Sequence, residues 1–149
     1  MTQPLRPFER SLPMALMRAR EAVMREFRPR LAADALTEQQ WRVLRTLSAF
    51  EKPLTTRELS EMTFLLGPSL SRITANLSER SLLRRAPHPT DQRSNLLDLT
   101  DTGKALVSKV AAGSEEGYAA IEARFGIAQL ELLHELLDEL AAAQTAEES

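Results

Sequence analysis

A mainly α-helical fold with one small β-hairpin is the class this sequence predicts, and three observations carry the prediction. First, the stretch Leu66 to Arg85 holds a helix ending near Leu82: Pro68 suits a first turn, where its missing N–H has no partner anyway, and Leu70, Ile73 and Leu77 share one side. Second, two short strand-like stretches, Leu83 to Ala86 and Asn95 to Leu99, flank a Pro/Asp-rich tip and so predict a hairpin. Third, long helical patterns with wide apolar faces stand at both ends of the chain. Together these are the plan of a winged helix-turn-helix flanked by N- and C-terminal dimerisation helices.

Taken in order, a first helix is expected from about Arg10 to Ala33, with Leu12, Leu16, Ala19, Val23, Phe27 and Leu31 as its apolar stripe. Pro29 is expected to bend or break it. Thr37-Glu38-Gln39-Gln40 has capping-box spacing and opens a second helix that carries Trp41, Leu44 and Leu47 inward. Thr55-Thr56-Arg57-Glu58 repeats the signal for a third, with Leu59 and Met62 inside. Phe64 to Pro68 is the turn into the fourth helix, which ends near Leu82. Thr100 is the expected N-cap of a long helix to about Phe125, and Ile127 to Ala143 makes a last one. Gln144 to Ser149 is a polar tail expected to be disordered. The domains follow: residues 1–36 for N-terminal dimerisation, 37–100 for the winged helix-turn-helix, 101–149 for the C-terminal helices and tail.

At 149 residues the chain can bury one good core with room for a helical extension. No apolar run approaches the roughly 20 residues that span a bilayer, and residues 1–10 lack an apolar signal core, so cytoplasmic residence without a membrane partner is expected. The absence of cysteine excludes disulfides, thiolate metal sites and thiol redox sensing. Net charge is −2, but it is bipolar: residues 1–54 hold ten Lys/Arg against six Asp/Glu, whereas residues 101–149 hold three against ten. Such a chain can offer a basic surface at one end while remaining soluble.

The outer side of the fourth helix carries Ser69, Ser71, Arg72, Thr74, Ala75 and Asn76 behind Pro68. These side chains are short enough for the backbone to approach a flat partner and suit a DNA major groove. Asn76 can pair bidentately with adenine. Alternation along a strand points Arg84 and Arg85 to opposite faces, one toward phosphate and the other toward an acidic neighbour. His88, at the expected wing, is either a solvated loop histidine or a contact to the DNA backbone. Catalysis finds no support: there is no nucleophile beside a base, no phosphate-cradling glycine loop and no His/carboxylate cluster. No cofactor is implied, and His88 and His134 are too far apart in sequence to suggest a zinc site.

Trp41-Arg42-Val43-Leu44-Arg45-Thr46-Leu47, the helix with Ser71-Arg72-Ile73, Asp91-Gln92-Arg93 and Leu99-Thr100-Asp101-Thr102-Gly103 resemble the MarR family of bacterial repressors over residues 10–143. The Leu12-Pro13-Met14 start and the Trp41 to Arg45 run resemble, within that family, regulators of homoprotocatechuate (4-hydroxyphenylacetate) degradation operons. The resemblance implies a homodimer on a near-palindromic double-stranded operator, released by a small aromatic acid. Arg72 matches the family's recognition-helix arginine, and Asp91 with Arg93 matches the wing's Asp-x-Arg. Asp91 then braces the loop while Arg93 reaches the minor groove or its phosphates. Ser81 departs from the usual glycine after the helix, so that turn must close without the easiest left-handed residue.

The expected mechanism inserts residues 68–80 into the major groove, with Arg57, Arg84, Arg85 and Arg93 on phosphates. For the effector, Arg20 is the candidate anchor of a carboxylate, unless an internal acid pairs with it. Met14, Met17 and Trp41 would supply apolar walls, and Arg18 and Arg42 are fallback anchors. Two alternatives stay open at this point: a regulator of drug or solvent tolerance, and a winged-helix module for protein contacts.

Overall fold

Thr37 and Thr55 start helices in the same way in the computed structural model, which describes residues 2–145. Each hydroxyl accepts the backbone N–H three residues on. The Gln40 or Glu58 side chain returns to the threonine N–H, so two donors of the first turn are satisfied reciprocally. The elements are a short 3-10 turn (Phe8–Arg10), α1 (Leu12–Ala33), α2 (Glu38–Ser48), β1 (Leu54–Thr55), α3 (Thr56–Thr63), α4 (Gly67–Glu79), β2 (Leu83–Pro87), β3 (Asn95–Leu99), α5 (Asp101–Phe125) and α6 (Ile127–Thr145). Pro29 lies inside α1 without ending it.

The chain divides into two compact units: one takes in the segments up to Glu26 and from Ser114 onward, the other Phe27–Gly113. The divisions fall within α1 and α5, whereas the sequence placed its boundaries at the ends of helices. Gln144 and Thr145 belong to α6, a correction to the expected tail, and residues 146–149 lie outside the described residues.

In the Phe27–Gly113 unit the core is built from leucines and valines of every element, including Leu36, Leu44, Leu59, Leu70, Leu77 and Leu97. The hairpin has a third strand: β1 pairs antiparallel with β3, Leu54 opposite Leu97, and β3 pairs with β2, Leu99 opposite Leu83. At two residues, β1 is too short to show alternation in a sequence. Met62, expected inside, is exposed, and Thr63 takes the core position with its hydroxyl on the Leu59 carbonyl at 2.6 Å. A threonine that donates to the preceding turn can be buried without an orphaned hydroxyl.

The helix α4 stops at Glu79, three residues short of the expected end, and closes in a Schellman turn. Ser81 stands at φ 60°, its N–H reaches the Ser78 carbonyl, and the Leu82 N–H reaches the Leu77 carbonyl at 2.9 Å. The Thr100 hydroxyl, 2.6 Å from the Ser81 carbonyl, helps hold this backbone. A side chain in the left-handed region costs about 1–2 kcal/mol, part of which glycine returns as unfolded-state entropy. Ser81→Gly is therefore expected to raise unfolding stability by about 0.5–1 kcal/mol. Urea titration checks this; an unchanged midpoint would show the turn to be unstrained.

The other unit contains the 3-10 turn, the first part of α1, the second part of α5, and α6. The Arg124 guanidinium pairs with the Glu26 carboxylate there. None of the residues of α6 is buried, although Ile127, Leu132, Leu133, Leu136 and Leu137 are all on it, and Leu12, Leu16 and Val23 of α1 are exposed as well. Among the described residues no helix is long and apolar enough to cross a membrane.

Candidate nucleic-acid interface

α4 owes its two-sided character to where its leucines fall. Leu70 and Leu77 are buried and Ile73 packs partly against the core, which leaves Pro68, Ser71, Arg72, Ala75 and Asn76 exposed and Ser69 half-buried. Thr74 corrects the sequence reading. It is 1% exposed and faces inward between Leu70 and Leu77, although its polarity had placed it outside. Its hydroxyl donates to the Ser71 carbonyl at 3.2 Å and accepts from Arg85 Nη2 at 3.1 Å, which satisfies it within the protein.

The outer ridge that remains is small and nearly uncharged, with Arg72 as the one cation between Pro68 and Asn76 at four-residue spacing. A shallow depression beside it is lined by Thr37, Gln40, Ser69, Arg72, Ile73 and Asn76. The Gln40 amide that closes the α2 capping box also donates through Nε2 to Asn76 Oδ1 at 2.9 Å. The capping box was legible in the sequence, but this second bond spans 36 residues and gave no local signal.

The wing arginines divide as alternation required. Arg84 Nη2 lies 3.4 Å from Asp98 Oδ2, while Arg85 turns to Thr74 and so ties β2 to α4. At the tip, the His88 ring braces the protein's own turn, a use the sequence did not suggest. Its Nδ1 accepts the Thr90 N–H at 3.2 Å and the Asp91 N–H at 3.0 Å. Asp91 Oδ1 accepts the Arg93 N–H at 3.0 Å, which folds the turn and leaves the Arg93 side chain exposed. Arg57, on α3, is 88% exposed and pairs with Glu61 one turn on, a contact of little energetic weight in water.

The expected effector residues are placed separately. Met14, Met17, Arg18 and Arg20 stand on α1 in one unit, Trp41 and Arg42 on α2 in the other. Arg20 is not the buried arginine the α1 stripe suggested: its side chain is 40% exposed, with Glu21 at 3.7 Å. Arg42 is committed to structure. It donates to the Thr63 carbonyl at 2.9 Å and to Glu38 at 2.7 Å, and Glu38 also receives Arg28 at 3.2 Å. Trp41 packs partly against the core. No cluster of three or more His, Asp or Glu side chains able to hold a metal occurs among the described residues.

A recognition helix exposing short polar side chains beside a braced hairpin defines a winged helix-turn-helix DNA-binding protein. The profile of the MarR family matches residues 36–94. The chain is 38% identical over 133 residues to the homoprotocatechuate degradative operon repressor of Escherichia coli, covering 89% of this chain and 88% of that protein. It is also 38% identical over 136 residues to the HTH-type transcriptional regulator FarR of Neisseria gonorrhoeae, covering 91% and 92%. Among solved structures, NadR in complex with 4-hydroxyphenylacetate superposes with a TM-score of 0.78 at 36% identity, covering 93% of this chain and 98% of that one. The chain belongs to the MarR family and is a DNA-binding transcriptional regulator, not an enzyme.

Proposed function

We propose that the chain acts as a homodimeric repressor of an aromatic-compound catabolic operon, held on a near-palindromic operator until a small aromatic acid releases it. The observation that carries the reading is the outer ridge of α4. It is slender, free of bulky side chains and marked by one guanidinium, as a helix that enters a major groove must be. Pro68, Ser69, Ser71, Arg72, Ala75 and Asn76 then face base edges. Arg57, Arg84, Arg85 and Arg93 supply phosphate or minor-groove contacts, and His88 and Asp91 hold the wing in shape.

The dimer is supported by α6. A 19-residue helix that carries leucines at helical spacing yet buries none of its residues leaves more apolar surface wet than a soluble monomer sustains. A twofold partner is the simplest cover, and it sets the half-sites about one helical turn apart. Sedimentation at micromolar concentration is expected to give a dimer, and a monomer there would remove the two-site geometry.

The effector assignment draws on the ligand named with NadR and on the operon named with the Escherichia coli relative. A guanidinium suits a carboxylate, and with Arg42 already holding Glu38 and Thr63 and Arg20 beside Glu21, Arg18 of α1 is the anchor we assign. Met14 and Met17 of the same helix remain the assigned apolar contacts. Release requires the acid to bind the DNA-free conformation more tightly than the DNA-bound one. A thermal-shift screen of phenolic and arylacetic acids, followed by displacement of promoter DNA, tests the reading. A hydroxyphenylacetate that stabilises the protein and frees the DNA supports it, whereas broad response to uncharged hydrophobic compounds alone would move the protein to the drug- and solvent-tolerance class.

A further inference from the structure

Asn76 enters any groove with half of its amide already committed, and the commitment can be traced back to a helix cap. The Thr37 backbone N–H can only donate, so the Gln40 atom facing it at 2.9 Å must be the carbonyl oxygen. The planar amide then turns Nε2 the other way, to within 2.9 Å of Asn76, whose oxygen must receive it. The Asn76 Nδ2 group is thereby directed away from Gln40 with its N–H donors unspent: it makes no hydrogen bond among the described residues. Asn76 is exposed and lies one turn beyond Arg72 on the same ridge.

In the major groove guanine shows two acceptors side by side, N7 and O6, whereas adenine shows an acceptor beside an amine donor. The bidentate adenine pairing that an unrestrained asparagine favours needs oxygen and nitrogen both turned outward. We propose that Gln40 fixes the amide of Asn76 donor-outward, so that the pair selects guanine at one position of each half-site, with Asn76 as the base contact and Gln40 as its positioning residue. This rests on α4 being the groove helix.

Gln40→Glu separates positioning from structure. A glutamate at this position still caps Thr37, so α2 should start unchanged and the thermal midpoint should hold. Its second oxygen can only accept, which forces Asn76 to turn Nδ2 inward and Oδ1 outward, toward the exocyclic amine of adenine or cytosine. Binding sites are selected from a library of randomised duplexes, and single-base variants of the selected site are then compared by competition. The readout is the ratio between bases, since the added charge weakens all duplexes alike.

Wild type is expected to prefer guanine at the Asn76 position by roughly tenfold. Gln40→Glu should shift that preference to adenine or cytosine, and Asn76→Ala should erase it. In the Asn76→Ala background, Gln40→Glu should have no further effect on base choice. A guanine preference that survives Gln40→Glu, or a base profile untouched by Asn76→Ala, overturns the proposal. If Arg72→Ala still relaxes specificity in that last case, only the amide pair fails; if it too changes nothing, the placement of α4 in the groove fails with it.

Discussion

Replacing Gly103 with alanine is expected to destabilise the protein by about 3 kcal/mol, with the thermal midpoint falling by roughly 10 °C. A Cβ built on Gly103 stands 2.2 Å from the Leu82 carbonyl oxygen and 3.1 Å from its carbon, and these are backbone atoms that cannot rotate aside. Nor can the backbone withdraw cheaply. The Leu82 carbonyl accepts the Thr100 N–H at 3.1 Å, the Ser81 carbonyl accepts the Thr100 hydroxyl, and that hydroxyl receives the Gly103 N–H at 3.0 Å. The end of α4, the start of β2 and the first turn of α5 are thus joined through backbone at one point. Opening it to admit a methyl group breaks the cap of α5 and shifts α4, the proposed DNA-reading helix. Gly113→Ala is the control: a Cβ there meets nothing within 4 Å, and helix propensity alone should stabilise by about 1 kcal/mol. Thermal unfolding of both variants checks the contrast, and a Gly103→Ala protein that melts like wild type would show the junction to be compliant.

Local signals in this chain were legible, and non-local ones were not. Both capping boxes and Pro68 in the first turn of α4 are decided by residues within a few positions of one another, and the hairpin by two adjoining strands, while the Asp91 brace came with the family resemblance. Patterning read the caps and the hairpin directly. Thr74 was misplaced because polarity is a poor guide where a partner arrives from elsewhere: Arg85 satisfies its hydroxyl from the neighbouring strand. Met62 and Thr63 were exchanged for a related reason, since the Thr63 hydroxyl finds its acceptor in its own helix. Gln40 could be recognised as a cap but not as the partner of Asn76, and Arg42 could not be seen to be spent on Glu38 and Thr63. Gly103 belonged to a recognised motif, yet the reason it must be glycine appears only when Leu82 is brought against it. The MarR resemblance reached the family because its residues are of the local kind. The effector anchor, which depends on long-range neighbours, was the least determined assignment.

Arg72→Ala is expected to cost about 1–3 kcal/mol in specific binding, a rise in Kd of about five- to 150-fold at fixed salt, and to relax base preference at one position of each half-site. Arg72 is exposed at the centre of the ridge and makes no ion pair or hydrogen bond among the described residues, so nothing within the protein competes for its guanidinium. It can therefore offer two parallel donors to guanine without first breaking a bond. Arg57→Ala supplies the contrast: on α3 and not on the ridge, and already paired with Glu61, it should weaken all duplexes alike and flatten the salt dependence by about one counterion. The measurement is competition of operator against scrambled duplex, with Kd followed over a series of salt concentrations. Loss of discrimination in Arg72→Ala, with discrimination kept in Arg57→Ala, places α4 against the bases. A uniform loss in both variants would make Arg72 a phosphate contact and leave sequence reading to Ser71, Asn76 and the shape of the DNA.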